Sequence, residues 1–133
     1  MDKVRYGKTD LQVSVVVLGT WVTGGWMWGG ADESDSIRTI HRALDLGINF
    51  IDTAPVYGFG RSEEILGKAL KNHPEKDRVV ISTKCGLEWD AEQRHIRRNA
   101  TPARIRQEVD DSLRRLGCER IDLYQIHWPD PET

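Results

Sequence analysis

Residues 48–55 read Ile48-Asn49-Phe50-Ile51-Asp52-Thr53-Ala54-Pro55, and this stretch decides the fold. Ile48 to Ile51, apolar but for Asn49, reads as a strand. It ends in a carboxylate, Asp52, and a proline soon stops any regular continuation. The same figure recurs downstream. Val79-Val80-Ile81-Ser82-Thr83 runs into Lys84, and Ile121-Asp122-Leu123-Tyr124-Gln125-Ile126 runs into His127. Upstream, Val15-Val16-Val17-Leu18-Gly19 is a β-branched run that predicts a first strand of the same kind.

The intervals between these strands carry helical signals. The first helix is expected from about Ser34 to Leu46. Asp32, Glu33 and Asp35 lie at its positive end, Ile37, Ile40, Ala43 and Leu44 form its apolar stripe, and Gly47 stops it. The second is expected to be capped by Ser62, with Glu63 and Glu64 in its first turn, and to bury Ile65, Leu66, Ala69 and Leu70. The third has Thr101 as cap and Pro102 at its first position. Ile105, Val109, Leu113 and Leu116 repeat at helical spacing before Gly117. Before the first strand, Val4-Arg5-Tyr6 and Leu11-Gln12-Val13 flank Gly7-Lys8-Thr9-Asp10, a small hairpin.

Strands alternating with helices imply parallel pairing. Two architectures fit this order: a doubly wound open sheet, or part of a (β/α)8 barrel. Asp52, Lys84 and His127 all fall at strand C-terminal ends. Barrels place their chemistry there, and open sheets bind ligands there.

The chain has 133 residues, the size of one domain, with 38% hydrophobic and 30% charged residues and a net charge of -2. That balance offers neither a basic footprint for nucleic acid nor a polybasic membrane patch. The densest basic stretch, Arg94 to Arg106, is broken by Asn99, Ala100 and Pro102 and reads as a solvated loop and helix face. No apolar run approaches the roughly 20 residues of a membrane span. Met1 to Asp10 is polar and unlike a signal peptide, so a cytoplasmic location is expected. Cys85 and Cys118 stand far apart, without the clustered spacing that zinc requires; no metal site and no disulfide are expected.

Gly24-Gly25 and Gly29-Gly30 lack both the GxGxxG and the GxxxxGK[ST] spacing, so dinucleotide-fold and phosphate-loop readings fail. Trp21, Trp26 and Trp28 beside them form either a core cluster or an aromatic wall for a substrate. Asp52, Tyr57, Lys84 and His127 each have an ordinary reading, as turn cap, turn aromatic, salt-bridge partner and structural histidine. Their joint placement at successive strand ends favours catalysis.

Here the chain resembles the aldo/keto reductase family. Asp52-Thr53-Ala54 with Tyr57-Gly58, then Ser62-Glu63-Glu64 and Leu66-Gly67-Lys68-Ala69-Leu70, is similar to its first signature. Thr83-Lys84 is similar to its lysine site. Ser112-Leu113-Arg114-Arg115-Leu116-Gly117 with Ile121 to Pro129 is similar to its central signature, and Gly19-Thr20-Trp21 to its first-strand loop. The form of residues 126–131 is most similar to bacterial reductases of the inositol-utilisation type.

The resemblance implies a fold and a chemistry. The fold is an α/β one, the first half of a (β/α)8 TIM barrel behind the N-terminal hairpin, with residues 1–133 as an incomplete barrel domain. The chemistry is NADPH-dependent reduction of a small-molecule aldehyde or ketone by hydride transfer. Tyr57 would be the general acid, Lys84 would favour its phenolate, Asp52 would fix Lys84, and His127 would orient the carbonyl. Gly19, Thr20, Trp21 and Asp52 would contact the cofactor. Trp21, Trp28, Tyr57, His127 and Trp128 would contact the substrate. Competing expectations are a non-enzymatic nicotinamide-binding regulatory subunit, an unrelated barrel isomerase, or an inactive half-barrel. Four of eight strands leave open edges, so the chain is expected to self-associate or to need a C-terminal half.

Overall fold

A computed structural model describes residues 1–27, 29–93 and 95–133. A hairpin comes first: β1 (Lys3–Arg5) pairs antiparallel with β2 (Gln12–Ser14). A parallel sheet follows, with β3 (Leu18–Gly19), β4 (Phe50–Asp52), β5 (Val80–Cys85) and β8 (Leu123–Ile126) side by side in chain order. The helices α1 (Glu33–Asp45), α2 (Arg61–Leu70) and α3 (Pro102–Leu116) lie in the three crossovers. A second hairpin, β6 (Leu87–Trp89) with β7 (Ile96–Arg98), is inserted between β5 and α3.

The helix ends follow from side-chain chemistry. Asp32 caps α1 by accepting from the Ser34 and Asp35 amides. The helix stops where Gly47, at φ 85°, lets the Ile48 amide reach the Ala43 carbonyl at 3.0 Å. Thr101 caps α3, and Gly117 turns left-handed at its end.

The two faces of the sheet do different work. Ile51, Val79 and Ile81 pack with Ile40 and Leu44 of α1, Ile65, Leu66, Ala69 and Leu70 of α2, and Leu116 of α3. Alternate residues point the other way. Phe50, Val80 and Leu123 gather against Leu11 and Val13 of the first hairpin, which thus closes the N-terminal end of the sheet's inner face.

Three expectations need correction. Only Leu18 and Gly19 of the first apolar run pair with β4, while Val15, Val16 and Val17 are exposed. The Val15 amide donates to the Asp2 carbonyl as the chain leaves the hairpin, so the run is spent on a connection. Ser62 does not cap α2. Gly60, at φ 102°, is the capping residue, and Ser62 is buried in the first turn. The basic stretch from residue 94 to 106 is only partly loop and helix face: Ile96–Arg98 form β7 before a short loop leads into α3, and Arg94 itself lies outside the described residues. Both cysteines are free thiols, Cys85 buried in β5 and Cys118 packed against the core beneath the helices. Among the described residues no helix is long and apolar enough to cross a membrane.

Candidate active site

Strand register sets the site. Asp52 stands opposite Ser82, and Lys84 opposite Gln125. These four share the face that carries Phe50, Val80 and Leu123, so a polar layer rests directly on the apolar floor. Lys84 is largely buried, with 14% of its side chain exposed. An ammonium has three protons and needs three acceptors. Lys84 Nζ finds them in Asp52 Oδ2 at 2.7 Å, the Thr53 carbonyl at 2.8 Å and Tyr57 Oη at 3.4 Å.

The direction of the last contact matters chemically. Lysine can only donate, so Tyr57 Oη accepts and its own proton stays available for another acceptor.

Tyr57 is held by its loop. Ala54 and Val56 are buried against Leu87 of the second hairpin, and Trp26, Phe59 and Trp89 pack on them. Behind Tyr57, the turn Val22–Gly24 approaches so closely that a Cβ on Gly24 would collide with the Tyr57 carbonyl group. A Cβ on Gly58 would collide with the Gly24 carbonyl in turn. Gly58 also needs its φ of 67°. Two glycines thus let two loops touch backbone to backbone and fix where the phenol points.

His127 follows β8, its amide donating to the Cys85 carbonyl at 2.9 Å. Its ring meets the Tyr57 ring edge to face, with centroids 5.8 Å apart. Burial, reinforced by the positive charge of Lys84 and opposed by Asp52, pushes the imidazole pKa down to about 4. His127 is therefore neutral near pH 7, able to donate one hydrogen bond without carrying charge.

The remaining expected residues divide. Trp21 is partly exposed and stacks on Tyr57 at 6.0 Å and 21°. Trp128 is exposed, its ring 5.9 Å from that of His127. Gly19 ends β3, and nothing lies within 4 Å of where its Cβ would be. Thr20 is buried. Its hydroxyl donates to the Asp52 carbonyl at 3.1 Å and accepts from Ser62 at 2.8 Å, so it binds two strand ends together. Trp28 lies outside the described residues. Trp26 joins the packed aromatic cluster with Phe59 and Trp89.

Two polar residues of the layer escaped the reading of the sequence. Ser82 Oγ donates to Asp52 Oδ1 at 3.0 Å, and Gln125 Nε2 donates to Ser82 Oγ at 2.7 Å. The signal available was period-two alternation: Ser82 precedes Lys84 by two residues and shares its face.

The residues present fit a nicotinamide and a carbonyl. The backbone at Gly19 is open at the strand end, Trp21 offers an exposed aromatic face next to Tyr57, and the rings of Tyr57 and His127 meet edge to face.

Comparison with known proteins identifies the family. Residues 15–133 match the aldo/keto reductase family. The chain is 53% identical over 131 residues to an aldo-keto reductase of Bacillus subtilis, covering 98% of this chain and 39% of that protein. It is 45% identical to an NADH-specific methylglyoxal reductase of Escherichia coli, over 96% of this chain and 42% of that one. Among solved structures, a glycerol dehydrogenase from Gluconobacter oxydans superposes with a TM-score of 0.89 at 57% identity, over 99% of this chain and 41% of the other. The chain thus spans about two-fifths of the length of the relatives it matches. Its four parallel strands with crossover helices are the first half of their (β/α)8 barrel, and the chain belongs to the aldo/keto reductase family.

Proposed function

We propose that this chain supplies the catalytic half of a nicotinamide-dependent reductase of small aldehydes and ketones. The observation that carries the reading is the three-way coordination of Lys84 by Asp52, Thr53 and Tyr57 at the strand ends. A nicotinamide cofactor, expected to be NADPH and held near Gly19, Thr20, Trp21 and Asp52, would supply the hydride for the carbonyl carbon. The chain's own residues handle the oxygen. Neutral His127 donates a hydrogen bond that orients the carbonyl. Tyr57 gives its free proton to the oxygen as negative charge develops there. The phenol oxygen is left beside the Lys84 ammonium, which stabilises its new charge. Asp52 keeps Lys84 in place and balances it. Trp21 and Trp128, with Trp28, would wall the substrate. A reaction fed by a nicotinamide pool accords with a cytoplasmic location.

The test is cofactor oxidation with a panel of small aldehydes, in a complete barrel carrying this chain. NADPH is set against NADH, since one relative is named as NADH-specific. Tyr57→Phe is expected to lower kcat by at least about a hundredfold, the contribution of a positioned general acid. Near-normal turnover in that variant would sink the proposed role. Tight nicotinamide binding without any turnover in the parent would favour a sensing subunit instead.

A further inference from the structure

A directional chain of hydrogen bonds runs beneath the site and reaches farther than the four strand-end residues. Ser82 is fully buried in β5, opposite Asp52. Its hydroxyl has a single proton. A carboxylate held 2.7 Å from an ammonium is ionised and only accepts, so that proton goes to Asp52 Oδ1 at 3.0 Å. The serine oxygen must then act as acceptor toward its other neighbour, and it does, from Gln125 Nε2 at 2.7 Å. The order is Gln125 to Ser82 to Asp52, and the other oxygen of Asp52 takes Lys84, which donates to Tyr57.

Asp52 is the weak point of this arrangement. It ends a strand of three residues, and 29% of its side chain remains exposed. With Lys84 as its only side-chain partner the carboxylate could rotate, and the ammonium would move with it. Ser82 removes that freedom by gripping the second oxygen from a fully buried position. Gln125 in turn fixes the Ser82 hydroxyl. Ser82 does not reach the surface, and Gln125, half-buried in β8, reaches Asp52 through it.

We propose that Ser82 and Gln125 are positioning residues that hold Asp52, and through it Lys84, in register beneath the Tyr57 hydroxyl. This rests on the reductase reading for its catalytic consequence, though not for its structural one.

The experiment has two independent readouts in a complete barrel carrying this chain. The first is proton exchange of the Lys84 ammonium, followed by nitrogen-15 NMR of lysine side chains; its protons are protected because all three are bonded. Ser82→Ala is expected to speed exchange by about tenfold, the worth of one hydrogen bond to a charged group. Ser82→Thr, which keeps the hydroxyl, should restore the parent rate. The second is steady-state kinetics: Ser82→Ala lowers kcat by about tenfold while the carbonyl KM stays within about twofold. Gln125→Leu acts in the same direction but more weakly, and the double variant is no worse than Ser82→Ala alone.

Unchanged ammonium exchange in both single variants would overturn the proposal, and so would failure of Ser82→Thr to rescue. If the parent reduces no carbonyl, the reductase reading fails while the exchange measurement still decides the relay. If exchange changes but kcat does not, the relay exists without catalytic effect and the proposal is again overturned.

Discussion

Lys84 shows how much one residue can organise when its bonding capacity is counted. Its three protons are committed, so the orientation of the Tyr57 proton follows by subtraction. His127 allows a prediction of a different kind. Its folded pKa, about 4, lies below the ordinary 6.5 because of burial and the Lys84 charge. Between those values the unfolded chain binds more protons than the folded one, so stability falls as pH drops through the window and is level above it. Denaturant titrations across that pH range should show this slope, reduced in a His127→Gln variant. Imidazole NMR should show His127 still neutral at pH 5.5, where an ordinary histidine (pKa about 6.5) is mostly charged. A titration midpoint near the ordinary value would refute the buried, charge-opposed environment. At this scale the sequence was informative wherever chemistry sat at a strand end, as with Asp52, Lys84 and His127. Alternation puts Ser82 on the face of Lys84, but it does not single out Ser82 or Gln125, because a serine or glutamine inside a strand has many ordinary uses. Only register reveals that these two touch Asp52's side of the sheet.

Among the elements, α2 carries a buried carboxylate that ties it to two neighbours. Glu63 is fully buried; one oxygen accepts from Thr83 Oγ1 at 2.7 Å and the other from Arg115 Nε at 2.6 Å. β5, α2 and α3 are thus joined through one carboxylate. Nearby, α3 passes so close to Gly67 that a Cβ there would collide with the Arg115 and Leu116 carbonyls. Glu63→Ala strands the Arg115 guanidinium in a mostly buried site, and the expected loss is about 3 kcal/mol or more. Urea unfolding would measure it, and a loss below about 1 kcal/mol, the worth of an exposed pair, would show that water reaches Arg115 freely. The helices were legible because capping, proline and glycine signals are local. Thr101-Pro102 and Gly117 mark α3 with no tertiary information. The failures were tertiary. Ser62 has the chemistry of a cap, but the packing of its hydroxyl against Thr20 and Thr53 outweighs it, and Gly60 turns the chain instead. The Val15–Val17 run has strand propensity but, among the described residues, no strand pairs with it. The hairpin β6–β7 went unread because its strands are three residues each, too short for periodicity to register.

The whole molecule is governed by two open edges. The sheet order places β3 at one end and β8 at the other, and neither has a further strand beside it among the described residues. Val15, Val16 and Val17 are exposed at the first edge, Ile126 and Trp128 at the second. Unpaired strand backbone next to apolar side chains drives association. The two edges are also complementary. In a barrel every strand is parallel to its neighbours, so β8 of one copy can pair with β3 of a second, and a two-fold axis along the barrel makes the reverse pairing identical. The isolated chain is therefore predicted to sediment as a dimer or larger species. Activity should be poor even so, because catalysis needs a bound, oriented cofactor, and the contacts proposed at Gly19, Trp21 and Asp52 come from half a barrel alone. Sedimentation velocity with NADPH titration on the 133-residue chain would test both statements. A stable monomer that binds NADPH and turns over an aldehyde would mean that the edges are already satisfied and that four strands suffice. Association that disappears when a charged residue replaces Val17 or Ile126 would trace it to the edges themselves, since a charge pointing from an edge blocks strand addition.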